Sequence, residues 1–311
     1  MLKGAAMGVA EVIPGVSGGT LAFITGIYER LLSAISTINL DLIQLWKTDG
    51  FKAVWVRIDG YFLGRLLAGM AIGFILGLKL IVGLLQSHPV HIWSFFFGLI
   101  LASIPLIGKQ VKKWRASEIV LLVFGAALVY WVTIAAPSQG SEHLFVVFMS
   151  GIIGVSALML PGLSGSFVLL LMGMYTIIMP AIEEVIHHPF GPELLVVLVF
   201  GLGMLVGLLS FAKVLSFTFK KYPNPTLALL TGFLIGSLNK VWPWQHVIET
   251  RVNSKGAEVV LFSESVMPMT FSSLTDNFLY GNDSHLFVSI SIMAVAVGIV
   301  FLMNKFSVTE I

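Results

Sequence analysis

Residues 8–35 read GVAEVIPGVSGGTLAFITGIYERLLSAI, and residues 154–182 read GVSALMLPGLSGSFVLLLMGMYTIIMPAI. In both stretches an apolar run is interrupted in the middle by Pro-Gly-x-Ser-Gly. Within the fifteen residues 14–28, a shift of 147 residues superimposes six identical positions, which are Pro14/Pro161, Gly15/Gly162, Ser17/Ser164, Gly18/Gly165, Gly26/Gly173 and Tyr28/Tyr175. We call these stretches the first and the second motif, and we expect the rest of the chain to be the scaffold that holds them.

The composition is that of a membrane protein. Hydrophobic residues make up 57% of the 311 residues, charged residues make up only 11%, and the mean hydropathy is +0.96. A soluble domain carries about 25% charged residues, so this chain is predicted to cross a bilayer several times. It contains no cysteine, which excludes disulfides, thiolate metal sites and cysteine nucleophiles.

Each motif is predicted to be a broken helical segment. Pro14 lacks a backbone donor and disfavours helical geometry at Ile13, so one helix should end near Ile13 and another should begin near Ser17. Irregular backbone at membrane depth is tolerated only inside protein or beside a water-filled cavity. We therefore expect each motif to fold back inside the protein, either as a re-entrant loop or as a tight spanning hairpin.

The predicted fold is an all-α polytopic membrane protein built from an inverted repeat, with one broken hairpin and three transmembrane helices in each half. The first repeat, 1–136, contains a broken hairpin at 4–36, an amphipathic insert at 37–60 and spans at 62–85, 92–107 and 119–136. The second repeat, 144–305, contains a broken hairpin at 144–182, spans at 194–219, 226–241 and 286–303, and an external loop at 242–285. Past the motifs a shift of 134 residues aligns the halves, for example Gly69 with Gly203 and Gly73 with Gly207.

The positive charges predict how the chain is oriented. Three spans per repeat is an odd number, so the two halves should face opposite ways. If each broken hairpin returns to the side it enters from, one side of the membrane holds twelve Lys and Arg residues and the other holds only Arg251 and Lys255. Cytoplasmic loops are enriched in Lys and Arg. Both termini are therefore predicted to be cytoplasmic.

The two motifs are predicted to form a shared anion site. A helix start presents free N–H groups and the positive end of its dipole, which favour an anion. Inverted repeats with broken helices are also the architecture of many secondary transporters. The predicted ligands are Pro14, Gly15, Ser17, Gly18, Gly19 and Thr20 in the first motif and Ser164, Gly165 and Ser166 in the second. The alternative is that these glycines and serines only pack and cap helices.

Four charged residues within apolar segments are further candidates. Glu11 is predicted to bind a coupling proton or sodium ion, or else to pair with Arg65. Arg65 is a candidate phosphate ligand, unless it only snorkels to the membrane surface. Lys79 and Lys213 are related by the repeat and are candidate way-stations for an anion at opposite faces, with snorkelling again as the alternative.

Other chemistries have little support in the sequence. No G-x-x-x-x-G-K-[ST] loop is present, so no ATP-driven pump is encoded. Residues 15–19 match the G-x-S-x-G pattern of serine hydrolases, but that pattern needs a strand-turn-helix setting and a histidine base. His187 and His188 are adjacent and lack metal-ligand spacing. We therefore predict no catalytic residue, no metal, no bound cofactor and no nucleic-acid partner.

The stretch AEVIPGVSGGTLAFITGIYERLLSAI, residues 10–35, resembles the signature of the polyprenyl-phosphate transporter family of bacterial and archaeal membrane proteins. MLPGLSGSFVLLLMGMY, residues 159–175, also matches that family's pattern, and the resemblance covers essentially the whole chain. It implies a transporter that returns undecaprenyl phosphate, the lipid carrier of cell-wall sugars, to the inner leaflet of the bacterial cytoplasmic membrane. The bilayer and the polyprenyl phosphate lipid are the partners that it implies.

The two motifs differ notably at two neighbouring positions, where Gly19 and Thr20 of the first correspond to Ser166 and Phe167 of the second. The first motif is therefore expected to supply more of the polar contacts. The leading interpretation is a lipid-phosphate flippase, in which a polar site holds the headgroup while the tail stays in lipid. The alternatives are a secondary transporter of a small soluble anion and a membrane enzyme, such as a phosphatase, that acts on a polyprenyl phosphate.

Overall fold

The computed structural model of the protein describes residues 1–12, 17–252, 258–274 and 283–307. The elements in chain order are α1 (Leu2–Glu11), α2 (Gly18–Ile24), α3 (Tyr28–Ser36), α4 (Asp41–Arg57), α5 (Gly60–Ser87), α6 (Pro89–Gly108), α7 (Ala116–Ile134), α8 (Leu144–Met159), α9 (Gly165–Leu171), α10 (Tyr175–His187), α11 (Glu193–Lys221), α12 (Pro223–Ser237), β1 (Gln245–Val252), β2 (Glu258–Ser265), α13 (Pro268–Ser273) and α14 (Leu286–Ser307). Helices dominate, as the sequence predicted. The strands β1 and β2 pair in an antiparallel ribbon within the segment that was predicted to be a polar loop.

Long apolar helices make this a multi-pass membrane protein. Within the described ranges, five helical segments are long and apolar enough to cross a bilayer, and each overlaps a predicted span: Gly60–Leu78, Pro89–Gly108, Ala116–Ile134, Glu193–Lys221 and Leu286–Met303. The bent pair α9–α10 raises the number of candidate spans to six. The remaining predicted span, 226–241, corresponds to α12, which has only 15 residues and buries most of its side chains inside the protein.

Both motifs fold as broken segments of three short helices. In the first, α1 ends at Glu11 and α2 begins at Gly18, as the Pro-Gly break predicted, and α8 and α9 are separated in the same way. A second turn follows in each copy, at Gly26 with φ +69° and at Gly173 with φ +67°. Side chains with a Cβ rarely adopt positive φ. This backbone requirement explains why both copies have glycine at that position.

Glycines bring each broken segment against the long helix that follows it. Helix α1 packs on α5, and α8 packs on α11. A Cβ at Gly69 would meet the carbonyl oxygen of Met1, and a Cβ at the equivalent Gly203 would meet the carbonyl oxygen of Phe148. Met1 and Phe148 are themselves related by the 147-residue shift. The same backbone contact therefore occurs once in each half.

The other long helices pair across the two halves. Helix α12 packs on α7, and α14 packs on α6. If α6 corresponds to α12 and α7 to α14, these two pairs are equivalent. Glycines again lie at both contacts, with Gly98 against Met293 and Gly232 against Leu122. The main hydrophobic core contains buried side chains of both halves, including side chains of the first and the second motif. The two halves therefore share one core.

The insert predicted at 37–60 forms the surface helix α4. None of its residues is buried, and Gly50 kinks it with φ +77°. Its apolar side chains, including Trp46 and Phe51, are exposed. Beyond its end, Asp59 accepts a hydrogen bond of 2.6 Å from Arg30 Nε. This exposed ion pair ties the end of the insert to α3.

Replacing Gly203 by alanine is expected to destabilise the protein, because the added methyl group would meet the backbone of Phe148. Overpacking of a close contact costs about 1–3 kcal/mol. Gly201→Ala is the matched control, since it lies in the same helix and a methyl group there meets no described atom within 4 Å. Thermal unfolding in detergent should show a lower Tm for Gly203→Ala only. Equal Tm values for both variants would contradict the close contact between α8 and α11.

Candidate functional site

The two breaks lie directly against each other. Ser17 Oγ donates a hydrogen bond of 2.8 Å to the carbonyl oxygen of Leu158, in the last turn of α8. Thr20 Oγ1 accepts a hydrogen bond of 3.0 Å from the backbone N–H of Gly162. Both Ser17 and Thr20 are fully buried. Side chains of the first motif therefore satisfy backbone groups that the second break leaves without helical partners.

Tyr28 and Gly19 complete this contact. Tyr28 is buried, and its hydroxyl donates a hydrogen bond of 2.9 Å to the carbonyl oxygen of Met159. Gly19 faces the same turn, where a Cβ would lie 2.9 Å from the carbonyl oxygen of Met159 and 3.1 Å from that of Leu158. The absence of a side chain at Gly19 thus lets the start of α2 approach the end of α8.

Glu11 lies at the N-terminus of α2. Its Oε1 accepts a hydrogen bond of 2.7 Å from the backbone N–H of Gly18. Ser17 Oγ accepts the next one, 3.0 Å long, from the N–H of Gly19. The protein's own acceptors therefore occupy the helix start for which the sequence predicted an anion. Any anion that bound there would compete with the Glu11 side chain.

The second motif uses its hydroxyls differently. Ser164 Oγ and Ser166 Oγ lie 2.9 Å apart and hydrogen bond to each other. Neither hydroxyl bonds to any other described group, and no side chain caps α9. Ser164 is buried, whereas Ser166 is exposed. The second motif therefore keeps hydrogen-bonding capacity that the first motif has used within the protein.

The predicted ion pair between Glu11 and Arg65 does not form, although both residues lie in the described part of the chain. Helices α1 and α5 run parallel, so that Gly4 contacts Leu66 whereas Gly77 contacts Val9 and Val12. Arg65 is consequently level with the start of α1, while Glu11 is at its end. Arg65 is exposed, which agrees with the snorkelling alternative.

The structure does not place the remaining predicted site residues beside the two motifs as a group. Lys213 is exposed on α11. Lys79 lies in α5, but its side chain is outside the described structure, and Pro14 and Gly15 are outside the described residues altogether. Sequence reasoning did not single out Lys240, whose Nζ lies 4.4 Å from the centroid of the Phe167 ring in the second motif. Lys240 lies near the end of the apolar run 226–241, which was predicted only as a transmembrane span.

An open groove of about 370 Å³ lies elsewhere, beyond the end of α12. Phe97, Trp242 and Met267 supply apolar walls, and Asn239 and Ser265 supply polar atoms. None of the predicted site residues lines this groove. It adjoins the β1–β2 ribbon and is separate from the contact between the two motifs.

Ser17→Ala is expected to destabilise the protein more than the equivalent substitution Ser164→Ala. The Ser17 hydroxyl bonds the backbone of Gly19 and of Leu158, whereas that of Ser164 bonds only Ser166. Leaving buried backbone groups without a partner costs about 1–3 kcal/mol. Thermal unfolding of the two purified variants measures the difference. If Ser164→Ala proved the more damaging, the hydroxyls would not be used as the structure indicates.

Comparison with known proteins gives a consistent result along the whole chain. The sequence profile of the undecaprenyl phosphate translocase-like family matches residues 7–259. The polyprenyl-phosphate transporter of Vibrio cholerae serotype O1 is 40% identical over 306 residues, which cover 98% of this chain and 96% of the relative. The polyprenyl-phosphate transporter of Staphylococcus aureus is 31% identical over 258 residues, which cover 78% of this chain and 85% of the relative. No solved structure matches the chain. By both the profile and the near-full-length identity, the chain belongs to the undecaprenyl phosphate translocase-like family.

Proposed function

We propose that this protein is a transporter of polyprenyl phosphate, and specifically a flippase that moves undecaprenyl phosphate across the bacterial cytoplasmic membrane. The observation that carries the proposal is the 40% identity, over 98% of the chain, to a polyprenyl-phosphate transporter. The match to the family profile supports the same substrate class. Returning this lipid to the inner leaflet would recycle the carrier of cell-envelope synthesis.

The substrate's chemistry fits the two motifs. A polyprenyl phosphate has an anionic headgroup and a long apolar tail, and an unpaired charge in the hydrocarbon core is costly. The headgroup therefore needs polar groups at membrane depth, while the tail can remain in lipid. The proposed headgroup site comprises Glu11, Pro14, Gly15, Ser17, Gly18, Gly19, Thr20, Ser164, Gly165 and Ser166, with Arg65, Lys79 and Lys213 as further contacts on the way.

We further propose that the two halves form an inverted repeat that alternates access to these motifs. The repeated backbone contacts of Gly69 and Gly203 and the equivalent helix pairs α7–α12 and α6–α14 support a twofold relation. In such transporters one repeat moves against the other around a site near the midplane. The direct hydrogen bonds between the motifs would link the two moving halves.

The proposed orientation places both termini in the cytoplasm. It rests on twelve Lys and Arg residues on one predicted side against two on the other. Because the chain has no cysteine, a single cysteine can report the side of any exposed loop. A cysteine at Lys112 should be protected from an impermeant thiol reagent added outside cells, whereas one at Ser141 should react; the reverse pattern would invert the topology.

Transport is expected to depend on the phosphate group. In liposomes that carry a labelled polyprenyl phosphate in one leaflet, the protein should accelerate its transfer to the other leaflet relative to protein-free liposomes. It should leave a polyprenol of the same length unmoved, because the alcohol lacks the anion that the site is proposed to bind. No accelerated transfer under any pH or sodium gradient would refute the flippase. Release of inorganic phosphate would favour a phosphatase, and uptake of inorganic phosphate would favour a transporter of a soluble anion.

Glu11 is the proposed carrier of a coupling proton or sodium ion. Glu11→Gln keeps an oxygen that can accept the bond from the Gly18 N–H, but it cannot ionise. The variant should therefore fold with a Tm close to that of wild type while its transfer rate no longer responds to an imposed pH or sodium gradient. A gradient response equal to that of wild type would exclude this role for Glu11.

A further inference from the structure

The turn that follows α12 places Lys240 beside the second motif. Gly162 packs against this end, where a Cβ would lie 2.9 Å from Ser237 Oγ. The backbone N–H of Lys240 donates a hydrogen bond of 3.0 Å to the carbonyl oxygen of Ser237, which fixes the turn that follows the helix. Lys240 Nζ then lies 4.4 Å from the centroid of the Phe167 ring. Backbone packing and side-chain contact thus place Lys240 at the second break.

The charge of Lys240 has no anionic partner among the residues that the structure describes. Its side chain is half-buried, and the face of Phe167 is the contact made by its ammonium group. A cation–π contact contributes only about 0.5–2 kcal/mol. Among the described residues, no acceptor bonds the three N–H donors of this ammonium. A half-buried cation in this state is suited to receive an anion.

The second motif, to which Phe167 belongs, also carries two hydroxyl groups. Ser166 directly precedes Phe167 in the chain and is exposed, and its hydroxyl bonds that of Ser164. Hydroxyls that bond only each other still have free lone pairs and can reorient to donate. Phosphate oxygens accept hydrogen bonds, and bonds from charged donors are the stronger ones. The second break thus has both kinds of donor that a phosphate monoester accepts from, a charged ammonium and hydroxyl groups.

The two halves carry opposite charges at their breaks. Glu11 lies at the first break, and its counterpart is Leu158; Lys240 lies at the second, and the 134-residue shift makes its counterpart Leu106. Each charge is therefore present in one half only. An anion would be attracted to the second break and repelled from the first whenever Glu11 is ionised.

We propose that Lys240 binds the phosphate of the transported substrate, with Ser166 and Ser164 as accompanying donors. Within the proposed headgroup site, the second motif then supplies the charged contact to the phosphate, and the first motif lines the site opposite it. This inference rests on the proposed function for the identity of the phosphate-bearing lipid. The same donors suit free inorganic phosphate, so the test includes both ligands.

The test compares Lys240→Gln with Lys113→Gln, an exposed lysine in the loop between α6 and α7 whose substitution removes the same charge. Polyprenyl phosphate is titrated into each purified protein in detergent, and polyprenol serves as the neutral analogue. Loss of a hydrogen-bonded charge should weaken binding of polyprenyl phosphate about 10- to 100-fold in Lys240→Gln. Binding of polyprenol should not change, and Lys113→Gln should behave as wild type. Lys240→Arg, which keeps the charge, should recover much of the affinity.

The outcomes separate the inference from the proposed function. If wild type and Lys240→Gln both prefer polyprenyl phosphate to polyprenol with equal affinity, the role of Lys240 is overturned and the transport proposal stands. If wild type does not prefer the phosphate, the proposed function fails as well. Competition by inorganic phosphate at equal concentration would identify a soluble anion as the ligand. Should Lys240→Gln not fold, Lys240→Met retains most of the length and the apolar stem of the side chain without its charge, and unweakened binding of polyprenyl phosphate by it would equally refute the inference.

Discussion

A helix that breaks inside a membrane leaves backbone N–H and C=O groups that lipid cannot satisfy. In this protein side chains of the first motif solve that problem for the second break. Ser17 donates to the carbonyl oxygen of Leu158, and Thr20 accepts from the N–H of Gly162. Because these bonds join residues more than 130 positions apart, the second break is not complete until both halves have assembled. The pairing of α7 with α12 and of α6 with α14 holds the halves in that arrangement.

The two copies of the motif therefore use their polar groups differently. The first copy uses its polar side chains as internal partners, and Glu11 closes the start of α2. The second copy receives those bonds on its backbone, so its own hydroxyls remain available. Phe167, which replaces the hydroxyl of Thr20 in the second copy, provides a ring face on which the Lys240 ammonium lies. The two similar breaks therefore have different tasks, because their sequences differ at a few positions.

Local features of the chain were sufficient to predict five of the six spans and the positions of the two breaks. Apolar length predicts five of the long helices, and the Pro-Gly sequence predicts that α1 ends before Ser17 and that α2 begins after it. The chemistry of the site was more difficult to predict. In the sequence, a serine that binds a ligand cannot be distinguished from one that bonds a distant carbonyl group. Only the packing of the halves distinguishes the two uses, and it places Lys240 beside Phe167. The β1–β2 ribbon was not predicted, because it lies in a polar loop and hydropathy indicates only which segments are buried in lipid.

The strength of the contact between the motifs bears on how such a protein could move. An intramolecular hydrogen bond contributes a net of about 1 kcal/mol to stability. The bonds made by Ser17, Thr20 and Tyr28 therefore stabilise the contact between the two breaks by about 3 kcal/mol. A gap of a few kcal/mol leaves the minor conformation populated at roughly 0.1–10%. In the proposed alternating mechanism, these bonds are therefore strong enough to define a resting state and weak enough to open. A ligand that binds only one arrangement of the second motif would shift that balance by its own differential affinity.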